Sequence, residues 1–193
     1  MKKREIMIVI VLIAILAVII ISINLIKDQK KYNGFEVEKV VSQGYEGYTT
    51  KVYMNNIAEP FYVNTRYHPK DLEDIPYDSK IKEKLNKKKI YITIDPTQNM
   101  TGKTTIAALE INNMVEPVYN IEVLSALTKD IGNNMTIMDC NSVTSENAVI
   151  WIKLGENNRV YTENNCVIIE GQTQDNLIKG ADLLDFVVLG VVK

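Results

Sequence analysis

Thr101-Gly102-Lys103-Thr104 follows a β-rich run and opens a helical one, the setting in which backbone amides and a lysine hold phosphate. A phosphate loop of that kind needs a second glycine five residues before Gly102. Thr97 stands there instead, and the neighbouring Pro96 has no amide to offer. The residue types favour a helix start capped by Thr101. Thr101, Gly102, Lys103 and Thr104 remain the anion-binding candidate of the chain.

Other chemistry is sparsely supplied. His68 is the only histidine and sits beside Pro69, far in sequence from Cys140 and Cys166, so no zinc-type spacing and no nucleophile-histidine arrangement forms. Asp71, Glu73, Asp74 and Asp78 lack the alternation and central glycine of a calcium loop and read as a solvated acidic turn. Asp95 closes a β-rich run and Glu170 lies in another, so a hydrolase assembling carboxylates from separate elements would use these two. No cofactor or metal signature is present, and the expected catalytic set is none.

The N-terminal residues decide where this chemistry would take place. Residues 6–26, IMIVIVLIAILAVIIISINLI, carry no charge and are flanked by Lys2, Lys3 and Arg4 on one side and Lys27, Lys30 and Lys31 on the other. As a helix rising about 1.5 Å per residue, the run covers about 30 Å, the thickness of a bilayer core. A cleaved signal peptide has a shorter apolar stretch and a small-x-small cleavage site, and a pilin-type start has a small residue before its cleavage point. This run has neither, and an uncleaved anchor fits better. The flanking lysines do not choose an orientation. The short N-terminal tail and the two distal cysteines favour the large domain outside the cell membrane.

Residues 1–31 hold six of the 22 Lys/Arg and two of the 24 Asp/Glu, so the remainder carries 16 and 22 and is net acidic by six. That balance opposes a general nucleic-acid or anionic-lipid binding surface. In an exported domain Cys140 and Cys166 pair, because neighbouring strands bring such residues within disulfide reach; in a cytoplasmic one they would be reduced core cysteines.

The elements that position these groups fall into three zones: an anchor over 1–31, a β-rich region over 32–88 and an α+β domain over 89–193. Alternation around Tyr48, Thr50, Val52, Phe61 and Val63 predicts two or three strands, and Ser79 to Lys88 a short charged helix. Ile90–Asp95, Thr104–Val115 and Asn120–Leu127 predict strand, helix, strand. Ala148–Leu154 and Val160–Glu170 predict a hairpin turning at Gly155-Glu156-Asn157-Asn158. A last helix, capped by Thr173 and stopped by Gly190, places Leu177, Ile178, Ala181, Leu184 and Val188 on one face. The expected fold is α+β: a transmembrane helix, a β-hairpin region, and a small mixed-sheet α/β sandwich with two packed helices.

Arg66-Tyr67-His68-Pro69-Lys70-Asp71-Leu72-Glu73-Asp74-Ile75-Pro76, Ile90-Tyr91-Ile92-Thr93-Ile94-Asp95-Pro96 and Asn165-Cys166-Val167-Ile168-Ile169-Glu170-Gly171 resemble segments of uncharacterised archaeal membrane-anchored cell-envelope proteins. The resemblance implies an envelope setting and supplies no activity. The expectation is a single-pass protein held by membrane lipid at its N-terminal helix, with an extracytoplasmic domain in a structural or protein-interaction role. The alternatives are a tethered hydrolase acting on envelope glycan and an accessory subunit of a membrane complex.

Overall fold

The computed structural model describes residues 10–20, 31–42, 44–53 and 59–192. Residues 10–20 are helical (α1) and exposed throughout. The rest of the expected anchor, 6–9 and 21–26, lies outside the described residues. Among the described residues no helix is long and apolar enough to cross a membrane.

Two sheets sandwich a helical layer. The first is antiparallel, ordered β1 (Lys31–Tyr32), β2 (Phe35–Ser42), β3 (Tyr45–Val52), β4 (Phe61–Thr65). The second is mixed: β6 (Glu122–Leu127), β5 (Lys89–Ile94), β7 (Asn147–Leu154), β9 (Cys166–Gly171) and β8 (Arg159–Glu163), with only β8 antiparallel to its neighbour. The short α2 (Ile81–Leu85) and the long α3 (Gly102–Tyr119) and α4 (Gln174–Leu189) share one face of the second sheet. One core joins Val52 and Val63 of the first sheet, Ile111 and Met114 of α3, Leu184 and Phe186 of α4, and Ile90, Ile150 and Ile169 of the second sheet. The fold is thus α+β, with more antiparallel sheet at the N-terminal side than the alternation suggested.

The opposite face of the second sheet is covered by chain rather than helix. Val149, Cys166 and Ile168 there pack with Met138, Cys140 and Val143 of the β6 to β7 crossover. The Cys140–Cys166 disulfide fastens that crossover to β9, with Cα atoms 5.1 Å apart. The expected pairing of these cysteines is present.

The strand-helix-strand unit β5-α3-β6 forms as expected, in parallel. α3 runs through Pro117 to Tyr119, beyond the expected end at Val115; burial of Met114, Val115 and Val118 and the Tyr119 hydroxyl bond to the Val188 carbonyl hold the last turn. α4 matches expectation: Thr173 caps it, Gly190 ends it in the left-handed region, and the apolar C-terminus through Val192 is buried.

The expected hairpin at Gly155–Asn158 is not formed. β7 pairs with β9 in parallel, and the hairpin lies between β8 and β9 at Asn164-Asn165. Both asparagines have positive φ, 46° and 71°. That is the conformation of a type I′ turn, whose twist matches the flanking strands, and asparagine tolerates it better than other non-glycine residues. Reading Val160 to Glu170 as one strand concealed it.

Candidate functional site

α3 and α4 lie side by side in the same direction because each follows a parallel strand of the second sheet. Their N-terminal ends meet at the anion-loop candidate. Thr101 caps α3 by accepting from the Lys103 amide. The Gln174 side-chain oxygen then accepts from the Thr101 amide at 2.8 Å, the Thr101 hydroxyl at 2.7 Å and the Thr104 hydroxyl at 3.2 Å. Lys103 Nζ bonds both Asp175 oxygens, at 2.7 and 2.8 Å. An internal amide oxygen and an internal carboxylate therefore sit where a phosphate would have to bind. Gly102 faces open space.

Asp95 and Glu170 lie near one level of the second sheet, on strands separated by β7 and so about 10 Å apart by strand spacing. Each is already partnered. Asp95 accepts from the Thr97 amide and hydroxyl and pairs with Lys129 at 3.1 Å. Glu170 accepts both Arg159 nitrogens, at 3.0 and 2.8 Å, and the Asn157 amide at 3.1 Å. Burial pushes both carboxyls up, but these hydrogen bonds and cations outweigh it and hold them below the usual range. Both stay ionised at neutral pH and neither is poised as a general acid. The crevice between β5 and β7, where open α/β sheets bind ligands, is bridged by the Gln98 amide group, which donates to the Leu154 carbonyl and accepts from its amide.

His68 starts the 3-10 turn Pro69–Leu72, its Nδ1 accepting from the Lys70 amide at 3.1 Å, with its ring edge-on to Tyr48 and Tyr32. Burial pushes its pKa down, so the ring is neutral at pH 7. In the acidic turn, Asp78 is engaged by the Thr162 hydroxyl and the Lys80 amide. Among the described residues no group of three or more His, Cys, Asp or Glu is placed to hold a metal.

The unusual carboxyls are elsewhere. The carboxyls of Glu110 of α3 and Asp182 of α4 lie beside each other, and Asp185 lies one turn further along α4. Asp182 and Asp185 are fully buried. One Asp182 oxygen accepts from the backbone amides of Arg66 and Tyr67, at 2.9 and 2.8 Å, which pins the end of β4 onto α4. Arg66 Nε donates to Glu110 at 2.7 Å, and its guanidinium lies over the Tyr45 ring. The remaining oxygens, Asp182 Oδ1 and Glu110 Oε2, are buried without a hydrogen-bond partner, and one proton placed between the two carboxyls would satisfy both.

Burial is the main cause of the elevated pKa of all three groups. For Asp182 the Glu110 charge adds to it, and for Asp185 so do the Asp182 and Glu110 charges. The Asp182 and Asp185 carboxyls are therefore held well above the ordinary carboxyl range, which favours their neutral form. Asp185 accepts no hydrogen bond at either oxygen. The sequence signal was thin: Asp182 and Asp185 interrupt the apolar stretch Ala181 to Val188, and only the direction of each helix face could have shown that they point inward.

Above the cluster a groove of about 390 Å³ opens between Tyr48, Tyr67, Arg66, Asp71, Lys103 and Asp175, floored by Ile106 and Ile178. Lys179 lies over the Tyr67 ring at 5.0 Å. The lining joins aromatic faces, cations and carboxylates, a set suited to polar contacts. Asp182 and Asp185 have no access to it, and Arg66 screens Glu110. No protein-family model matches this chain, and neither does any curated protein or solved structure.

Proposed function

We propose that this chain is a single-pass membrane-anchored protein of the cell envelope, whose α+β domain stands outside the membrane and works through protein or glycan contacts. The observation that carries the reading is α1. It is apolar on every face, and its large side chains are about half exposed or more among the described residues, from 48% at Ile19 to 62% at Val18. A helix apolar all round is stable only in an apolar surrounding, and here the domain does not supply one. The uncharged run 6–26 is long enough for a bilayer to do so. The disulfide suits an oxidising compartment, as the archaeal-envelope resemblance implies. The groove beside Arg66 and Tyr67 is the contact surface this reading uses.

The alternative of a glycan hydrolase draws on Glu110, the one elevated carboxyl with any exposure, its side chain 11% accessible. It requires Arg66 to swing aside. An accessory subunit of a membrane complex would use α1 itself as its contact.

Thiol labelling of intact cells with a membrane-impermeant reagent, with and without prior reduction, tests the main reading. The expected result is membrane fractionation and labelling of Cys140 and Cys166 in intact cells only after reduction. Labelling only after lysis and without reduction, or recovery in the soluble fraction, would overturn it.

A further inference from the structure

At the end of the domain where β5 and β6 begin and α3 and α4 finish, a cavity of about 330 Å³ opens among Leu85, Ile90, Val115, Tyr119, Ile121 and Val188. Leu85, Ile90, Val115 and Val188 form a buried floor, and the half-buried Tyr119 and Ile121 lie nearer solvent. The Tyr119 hydroxyl is spent on the Val188 carbonyl, so the ring presents its apolar face.

Chain geometry fixes what this end faces. Asn33 donates from its side chain to the Val191 carbonyl at 3.0 Å, which ties the β1–β2 turn to the end of α4, three residues beyond Val188. Lys31 is two residues from Asn33, so at most about 7 Å of chain separates them. The uncharged run ends at residue 26, and the five residue steps from there to Lys31 reach at most about 17 Å. A domain of about 160 residues is wider than that. It cannot turn this end far from the surface that holds the anchor.

Charge at this end differs from the acidic remainder. Residues 80–89 hold six lysines and one glutamate. Lys88 and Lys89 pair with Glu146 and Glu122, whereas Lys84 and Lys87 hydrogen-bond to neutral oxygens of Asn165 and Ser145, and Lys82 borders the cavity beside Glu83. Lysines beside an apolar opening match anionic headgroups above acyl chains.

We infer that this cavity is a lipid site: the domain docks on its own membrane with the lysine-rich α2 segment against anionic headgroups and an acyl chain entering between Tyr119, Ile121 and Val188. The inference rests on the anchored reading above.

The test uses the full chain in nanodiscs containing an anionic phospholipid with a diazirine on its acyl chain, with crosslinks mapped by mass spectrometry. Crosslinks are expected on peptides carrying Tyr119 or Ile121 and Val188 as well as on residues 6–26. Ile121→Glu and Lys82→Glu should each lower the domain crosslinks several-fold and leave those on 6–26 unchanged, with unaltered thermal melting showing that each variant is folded. Crosslinks confined to residues 6–26 would overturn the docking site while keeping the anchor. Failure of the chain to enter nanodiscs would overturn the anchor and the docking site with it.

Discussion

Glu110 and Asp182 form a carboxyl pair across α3 and α4, seven residues beyond the Lys103–Asp175 ion pair on the same facing stripe. Two helical turns, about 10 Å, thus separate an exposed opposite-charge contact from a buried like-charge one. The upper contact registers the helices at little gain, because it is half exposed on both sides. The lower one stands only while it is protonated.

Stability should therefore fall as pH rises. Glu110, Asp182 and Asp185 have folded pKa values above their unfolded values near 4, so the folded chain binds more protons in between and loses stability as pH climbs through that window. Asp78, Asp95, Asp139 and Glu170 are lowered, so their contribution is lost as pH falls below about 4. Denaturant midpoints across pH should peak near about pH 4 to 5. Asp182→Asn should flatten the alkaline limb, and an unchanged slope would show that the pair does not hold its proton.

Asp185 is the least compensated group of the three, with both oxygens unpartnered and no exposure. Replacing a buried polar group that makes no hydrogen bond with an apolar one removes a desolvation cost of about 1 to 3 kcal/mol. Asp185→Leu should stabilise the domain by about that amount near pH 5 and by more at pH 8, because the folded carboxyl is raised and its cost relative to the ionised unfolded chain grows with pH. Equal gains at both pH values would mean that the folded pKa of Asp185 is not raised.

The parts of the fold visible in the sequence were those governed by local rules. Thr173 and Gly190 marked α4 because capping and left-handed termination depend on single residues, and the period of Ala107, Ile111 and Met114 marked α3. What pairs with what was less legible. The parallel β7–β9 contact skips β8, a relation set by crossover geometry rather than by the residues of the Gly155 turn. The candidate site was hidden for a similar reason: Glu110 and Asp182 are 72 positions apart and meet only because α3 and α4 pack side by side, in the register that also brings Lys103 to Asp175.

The disulfide should be worth more than any single contact of the crossover it holds. Cys140 and Cys166 are 26 residues apart, and closing a loop of that length lowers unfolded-chain entropy by about 3 to 4 kcal/mol on the chain-entropy model. Cys140→Ser with Cys166→Ser should lower the unfolding free energy by about that amount, read from denaturant midpoints, and dithiothreitol should do the same to the unaltered chain. Hydrogen exchange should rise most in the β6 to β7 crossover, because Cys140 is half-buried there and its partner is fully buried in β9. Uniform loss of protection would locate the effect in the unfolded chain alone.

Gly180 sets how closely α4 approaches the second sheet. A Cβ there would lie 2.5 Å from Ile169 Cγ2, inside any tolerable contact, and the next atom in the way is Val160 Cγ2 at 3.7 Å. Helix propensity alone favours Gly180→Ala by about 1 kcal/mol. Overpacking a closed core costs about 1 to 3 kcal/mol, and Ile169 is fully buried with no room to retreat, so the clash should win. Gly180→Ala should destabilise the domain by up to about 2 kcal/mol net, measured by denaturant unfolding. Pushing α4 off β9 should also shift it toward β4, which meets α4 through the Asp182 carboxylate and the Arg66 and Tyr67 amides. The alkaline loss of stability should then extend to higher pH in Gly180→Ala than in the unaltered chain, because weaker amide donation leaves the Asp182 carboxylate less compensated and its folded pKa higher still. An unchanged pH profile with the expected destabilisation would confine the strain to the α4–β9 contact.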